Sequence, residues 1–286
     1  MTAGLDNAPA VAGLARADVA RALTEDVGAG DLTAALVDPA RRARARILAR
    51  EPAVICGAPW AEAAFRQLDA DARLHWHVGE GARCAADQVV LEVEGAAAAL
   101  LSAERTALNF LQLLSAVATK TAVYVDAVKH TRAKIVDTRK TLPGLRLAQK
   151  YAVRTGGGTN HRIGLYDAVL IKENHIAAAG GVTAVLRAAQ RAAPDAKFIE
   201  IEVETLAQLE EALAAGARMV LLDNMELPTL REAVRINGGR AILEISGGVT
   251  LETVRALAET GVDRISIGAL TKDVKATDFS MRLQDL

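Results

Sequence analysis

Between Asp137 and His175 the sequence holds seven Lys or Arg residues (139, 140, 146, 150, 154, 162 and 172) against three acids. Between Ile199 and Glu226 it holds seven acids against Arg218 alone. A cationic region beside carboxylates suits an anionic substrate whose phosphates arrive with a divalent metal, because hard carboxylate oxygens bind Mg²⁺ sparingly and leave room for phosphate oxygens. The basic region contains RTGGGTNHRIGLYDAVLIKENH (154–175), where three glycines stand beside His161, Arg162 and Lys172. Such a loop could cradle a phosphate or hold another anion, and the residues alone leave both open.

A regular alternation carries these residues. From residue 133 onward six apolar strands recur, AKIVDT, DAVLIKE, KFIEIEVE, RMVLLDN, AILEISG and DRISIGA. Between most of them lie amphipathic helices such as VTAVLRAAQRAA, LAQLEEALAAG, LPTLREAVRING and TLETVRALAETG. The βα order predicts a parallel sheet, and an incomplete or closed α/β barrel rather than an open doubly wound sheet. Arg139 and Lys140 follow the first strand, Lys172 ends the second, Glu202 lies in the third and Asp223 ends the fourth. Ser246, Gly247 and Gly248 follow the fifth strand and Gly268 the sixth. In barrels the C-terminal rim of the strands is where sites are built, so these positions converge. Glu200, Glu202 and Glu204 share one face of an alternating strand, so periodicity alone does not single out Glu202.

The first half has another rhythm. A helix is expected over 16–26, strands over 44–50, 53–56, 73–78 and 88–93, and a helix over 59–70, together a small α/β domain with an antiparallel sheet. The stretch from Ser102 through His130 reads as helical, with Ser102 as N-cap and Glu104 in the first turn. In KATDFSMRLQ, residues 277, 279, 281 and 283 alternate with their neighbours, which predicts a strand outside the barrel repeat that returns to the first sheet. The expected organisation is a domain over 1–115 joined by a strand within 275–286, and a barrel over 116–274.

Composition narrows the partners. With 51% hydrophobic residues, 24% charged residues and a net charge of −1, the chain can bury a large core and has no basic field for nucleic acid or a membrane surface. No stretch is expected to approach the roughly 18 apolar residues of a membrane span, and the start, MTAGLDNAPAVAGLARADVARAL, has no basic segment followed by an apolar core. The expected location is the cytoplasm. Cys56 and Cys84 read as buried fillers, too few for a disulfide framework or a zinc site. His75 and His77 read as a partly exposed strand face, His175 as structural, and Arg146, Lys150 and Arg154 as a solvated helix face.

The runs AERTALNFLQLLSAVAT (103–119), DTRKTLPGLRLAQKYAVRTGGGTNHRIGLYDAVLIKENH (137–175), IEVE (201–204), LLDN (221–224), SGGV (246–249) and SIGALT (266–271), with EDVGAGDLT at 25–33, closely resemble the quinolinate phosphoribosyltransferase family. The resemblance spans nearly the whole chain. It implies an N-terminal α/β sandwich with an antiparallel sheet and an incomplete α/β barrel of the type II phosphoribosyltransferase kind. The implied reaction joins quinolinate to phosphoribosyl pyrophosphate with Mg²⁺, releasing pyrophosphate and CO₂ and giving nicotinate mononucleotide for NAD synthesis.

The resemblance also implies roles. Arg139, His161, Arg162 and Lys172 line the quinolinate pocket with Thr138 beside them, and the glycines 156–158 shape the backbone rather than cradle a phosphate. Arg105 is contributed to the neighbouring subunit's pocket, which implies a homodimer with shared sites, open to higher assembly. Lys140 lies near the pyrophosphate. Glu202 and Asp223 engage the ribose hydroxyls and the metal, directly or indirectly. The 5′-phosphate rests on backbone around Ser246, Gly247 and Gly248 and around Ile267, Gly268 and Ala269. For the proton that follows decarboxylation, Lys172 and a water are both candidates.

Two other readings stand beside this one. An enzyme using nicotinate or another heterocycle would not need the full set Arg105, Arg139, His161, Arg162 and Lys172, and a silent sensor would have lost Lys140, Glu202 or Asp223; all are present. Lys172 as a Schiff-base lysine is a further alternative. The chain departs from the family at Ala116, where glycine is expected in LSGIAT, and at Leu142, where threonine is common in KTTPG. Substrate affinity is where the second departure is expected to act.

Overall fold

The computed structural model describes residues 7–286. The first six residues, within the start expected to lack a leader and within the expected 1–115 domain, lie outside the described residues. Contacts group the chain into two units. One comprises the residues up to Ala122, Thr141–Gly157 and Thr271–Leu286; the other comprises Val123–Lys140 and Gly158–Leu270. The segments 116–122, 141–157 and 271–274, expected with the barrel, group with the first unit.

The first unit begins with α1 (Ala8–Asp26), β1 (Arg42–Ala49), β2 (Ala53–Val54), α2 (Ala58–Leu68), β3 (Arg73–Trp76), β4 (Arg83–Cys84), β5 (Gln88–Ala96) and α3 (Ala97–Ala127) as far as Ala122. Alternation explains β1. Ala43, Ala45, Ile47 and Ala49 are fully buried, while Arg44 and Arg46 face the other way and meet Glu94 and Glu92, their register partners on β5. The sheet runs β12-β1-β5-β3, with β12 (Phe279–Asp285) antiparallel to β1. The Trp60 indole, fully buried on α2, donates to Asp18 of α1 at 2.9 Å.

Helix α3 starts at Ala97, so Ser102 is not its N-cap and Glu104 is not in its first turn. The alanine run 96–99 favours helix and extends it backward, and the Ser102 hydroxyl donates to Asp31 instead. At 31 residues α3 also has the length and apolarity of a membrane span, against expectation, but 56% of its most apolar window is buried inside the protein. Leu100, Ala103, Ala107, Leu111, Leu114 and Ala118 recur at intervals of three and four along its buried face. Ala116 is buried in α3, where alanine serves the helix better than the glycine expected.

Helix α4 (Arg146–Thr155) corrects another expectation: Lys150 is fully buried and Arg146 and Arg154 are half-buried, so the three do not form a solvated face. Gly156 ends α4 against α3, where a Cβ would lie 2.3 Å from the Ala118 carbonyl oxygen. Gly157 then turns with φ +88°. Both positions require glycine for backbone reasons. Cys56 and Cys84 are free and buried, and His75 of β3 and His77 just past it are exposed, edge to face with each other.

The second unit holds β6 (Lys134–Val136), β7 (Val169–Ile171), α5 (Glu173–Ala179), α6 (Val182–Ala192), β8 (Ile199–Val203), α7 (Leu206–Ala214), β9 (Met219–Asp223), α8 (Leu227–Asn237), β10 (Ile242–Ser246), α9 (Leu251–Ala258), β11 (Arg264–Ser266) and α10 (Ala269–Lys272) as far as Leu270. Its six strands are parallel in the order β6-β11-β10-β9-β8-β7. Consecutive strands pair from β7 to β11, and β11 then pairs with the first. Right-handed crossovers keep the helices on one face of such a sheet, so the other face curls inward. The ring is broken between β6 and β7. There the chain at Thr159 runs beside β6, with its N–H on the Ile135 oxygen and its own oxygen accepting from Asp137. This is an incomplete α/β barrel.

Candidate active site

Inward-facing residues two apart on a strand form two tiers inside a barrel. Here Leu170 and Lys172, Glu200 and Glu202, Leu221 and Asp223, Glu244 and Ser246, and Arg264 and Ser266 each share a parity on or just past their strands. Register places Glu244 beside Leu221 and Ser246 beside Asp223. A cavity of about 210 Å³ opens at this rim, lined by Thr138, Arg139, Lys140, His161, Arg162, Leu170, Lys172, Glu202, Leu221, Glu244, Ser246 and Ser266. All six strands or the residues just past them contribute. The volume lies below the ~300–1,000 Å³ of drug-sized ligand sites.

Two buried aspartates hold the loop that follows the glycines. Asp137 accepts the His161 N–H at 2.9 Å and the Asn160 amide at 2.6 Å. Asp167 accepts the N–H groups of Ile163 and Gly164 at 2.9–3.0 Å and pairs with Lys197 at 3.2 Å. Burial pushes the Asp167 carboxyl up, but these donors outweigh it and hold its pKa below the usual value. Arg162 is thereby fixed facing the cavity, and burial followed by the nearby Arg139 charge lowers its pKa.

Lys172 reaches Glu202 at 3.0 and 3.3 Å, and its backbone N–H donates to Nδ1 of His175, which caps α5. With its side chain 47% exposed and paired with a carboxylate, Lys172 lacks the desolvated setting of a Schiff-base lysine. Burial raises the pKa of Asp223; Glu204 and Glu173 add to the rise, while Lys172 and Lys140 oppose it. Gly268 lets Lys140 approach, since a Cβ there would lie 3.0 Å from the lysine Cδ and 3.6 Å from Thr138 Oγ1. Gly247 (φ +99°) would meet Asn224 Oδ1 at 2.7 Å and Asp223 Oδ1 at 3.6 Å.

At the floor of the cavity, which Glu244 lines, lies a set of which the sequence reading weighed only Glu200, beside Glu202. Glu200 and Glu244 are fully buried; Glu200 Oε2 lies 2.7 Å from His161 Nε2, and Arg264 Nε lies 2.7 Å from Glu244 Oε2. Burial pushes both carboxyls up to about 7, each opposed by Arg264. The signal was parity: Glu200 is two before Glu202, Glu244 two before Ser246, and Arg264 two before Ser266.

Of the expected residues, Thr138, Arg139, Lys140, His161, Arg162, Lys172, Glu202 and Ser246 line the cavity. Asp223, Gly247, Gly248, Gly268 and Ala269 sit at strand ends on the same rim, outside the lining set. Ile267 is buried and its N–H donates to the Val136 oxygen, so that N–H is spent within the sheet. Arg105 is exposed on α3 and does not line the cavity of this chain.

An incomplete α/β barrel with four cationic side chains facing a carboxylate at its strand ends defines an enzyme acting on a small anionic substrate. Family models give it a specific place: the C-terminal domain of quinolinate phosphoribosyl transferase matches residues 117–282 and the N-terminal domain matches 31–115. The chain belongs to the quinolinate phosphoribosyltransferase family and is a phosphoribosyltransferase of that kind. The nicotinate-nucleotide pyrophosphorylase [carboxylating] of Mycobacterium leprae is 45% identical over 279 residues, 94% of this chain and 97% of that protein. A probable enzyme of the same name from Bacillus subtilis is 44% identical over 90% of this chain and 89% of its own length. The solved nicotinate-nucleotide pyrophosphorylase of Francisella tularensis superposes with a TM-score of 0.92 at 42% identity, covering 96% of this chain and 97% of the other.

Proposed function

We infer that the chain transfers the phosphoribosyl group of phosphoribosyl pyrophosphate to quinolinate with loss of CO₂, giving nicotinate mononucleotide for NAD synthesis. The observation that carries the reading is the convergence of Arg139, Lys140, Arg162 and Lys172 on one small cavity opposite Glu202. In this reading Arg139, Arg162 and Lys172 hold the two pyridine carboxylates, with Thr138 beside them. An arginine fork can grip a carboxylate through two parallel bonds and so fix the ring plane. Lys140 stabilises the departing pyrophosphate.

Glu202 and Asp223 engage the ribose hydroxyls and are the residues that would hold Mg²⁺. Their hard oxygens fit that ion. When bound, Mg²⁺ neutralises charge on the phosphate oxygens. The 5′-phosphate rests on backbone at Ser246, Gly247 and Gly248 and at Gly268 and Ala269.

Positioning the pyridine nitrogen behind C1′ is the larger part of the task. Once that nitrogen is alkylated and positive, the adjacent C–C bond breaks, CO₂ leaves, and the electron pair stays on a ring carbon stabilised by the charge. That carbon takes one proton, for which Lys172 and a water are both candidates.

The assembly in this reading is a homodimer in which Arg105 reaches the neighbouring chain's site, supported by its exposure on α3. A cytoplasmic location accords with two free, buried thiols. Calorimetric titration tests the pocket: quinolinate binding should be abolished by Arg139→Ala, and normal affinity in that variant would remove Arg139 from the site.

A further inference from the structure

We propose that His161 is a positioning residue that makes no hydrogen bond to the substrate: Glu200, Glu244 and Arg264 fix its ring from below, and the ring fixes the backbone of Arg162. The proposal rests on the quinolinate reading for the identity of the ligand, and on hydrogen-bond geometry for the rest. His161 Nδ1 accepts the Arg162 N–H at 2.8 Å. An accepting nitrogen carries no proton, so the neutral ring bears its hydrogen on Nε2. That hydrogen points at Glu200 Oε2, 2.7 Å away, with Glu244 Oε1 at 3.6 Å. Both ring nitrogens are therefore committed inside the protein, and no N–H remains for a substrate carboxylate.

The setting is built for orientation. Phe198 meets the ring edge to face at 5.2 Å and 89°, and Asp137 holds the residue's own N–H. Barrel interiors are ordinarily filled by branched apolar side chains, and buried carboxylates are costly. Here Glu200 Oε1 and Glu244 Oε1 lack a hydrogen-bond partner among the described residues, so the set carries a cost that packing alone does not require. His161, Glu200 and Glu244 bring their ligand atoms within 4.8 Å of one another, as metal ligands do. Arg264 already supplies the positive charge to that cluster, and the His161 to Glu200 hydrogen bond occupies its centre. His161 lines the cavity, and with both nitrogens committed what it governs is the direction of the Arg162 guanidinium.

The test pairs a ring measurement with binding. In ¹⁵N NMR of the full chain, with the His161 signal assigned by its loss in His161→Asn, the ring should be the Nε2–H tautomer and should stay so when quinolinate is added. Protonated Nδ1, or an Nε2–H resonance that moves to a substrate-bonded position on addition, would overturn the proposal. Glu200→Gln keeps an acceptor oxygen and should bind quinolinate within about twofold of the parent. Glu200→Leu should weaken quinolinate binding by about tenfold or more, as expected for a misplaced group, with phosphoribosyl pyrophosphate binding unchanged. Equal affinity in the Leu and Gln variants would also overturn it. If Glu200→Leu does not fold, the tautomer of the parent decides alone. Failure of the parent to bind quinolinate at all would instead sink the functional reading, since the tautomer is read without substrate.

Discussion

Replacing Glu200 by Gln should leave the protein's stability nearly unchanged at pH 5 and raise it at pH 8. The Glu200 carboxyl is fully buried beneath the cavity, and burial raises its pKa from 4.5 to about 7. The folded state therefore holds a proton at pH values where the unfolded chain has released it. A raised folded pKa gives a contribution fully present below about 4.5 and lost as pH rises through about 7. At 1.36 kcal/mol per unit, the rise corresponds to at most about 3 kcal/mol of pH-dependent stability. Gln mimics the protonated carboxyl, still accepts from His161 Nε2, and does not titrate. It also removes the Glu200 charge that helps to raise Glu244. Carboxylates with lowered pKa, Asp167 among them, lose their contributions below pH 4, outside this window and equally in both proteins. Urea unfolding followed by circular dichroism at pH 5, 6, 7 and 8 measures the gap between parent and variant. It should open with pH toward about 3 kcal/mol, or on the order of 5–10 °C in Tm. Parallel curves, or a variant weaker than the parent at pH 8, would refute the reasoning.

Three further outcomes are expected. Mixing inactive Arg105→Ala chains with inactive Lys172→Ala chains under proven subunit exchange should restore activity to about a quarter of the parent, because half of the random dimers are hybrids and each has one intact site; no recovery contradicts the cross-subunit role. Gly268→Ala places a Cβ 3.0 Å from the flexible Lys140 side chain, so stability should fall by less than about 1 kcal/mol while KM for phosphoribosyl pyrophosphate rises and that for quinolinate holds. Chelation by EDTA should abolish turnover, and Mg²⁺ should restore it; the Asp223→Asn variant should need more Mg²⁺ than the parent.

The barrel was legible because each strand and helix announces its own period, and because costly polar residues mark the strand ends. The alternation of 276–283 likewise set that strand outside the βα repeat, and it lies against β1. The start of α3 was misread because Ser102 has the chemistry of a cap; five residues of helix-favouring sequence precede it inside the helix. The short strand Arg83–Cys84 has too few residues to show a period. The buried tier escaped for a physical reason. Parallel strands are covered on both faces, so their sequences are apolar throughout and do not tell inside from outside. Glu244 and Arg264 therefore looked like ordinary strand residues until register fixed which parity faces inward. Asp137 and Asp167 were counted only as charges, because their work is to bind backbone N–H groups that no sequence pattern displays. Leu142 is partly exposed and its N–H donates to the Gln149 side chain, so this departure leaves the local backbone held.

CO₂ release from carboxyl-labelled quinolinate, with a parallel reaction offering nicotinate, tests the central claim most directly. The account predicts release that depends on both phosphoribosyl pyrophosphate and Mg²⁺, with nicotinate mononucleotide formed in equal amount and no reaction from nicotinate. Nucleotide formed from nicotinate without CO₂ release from quinolinate would contradict the dicarboxylate pocket, and silence with both would contradict catalysis itself.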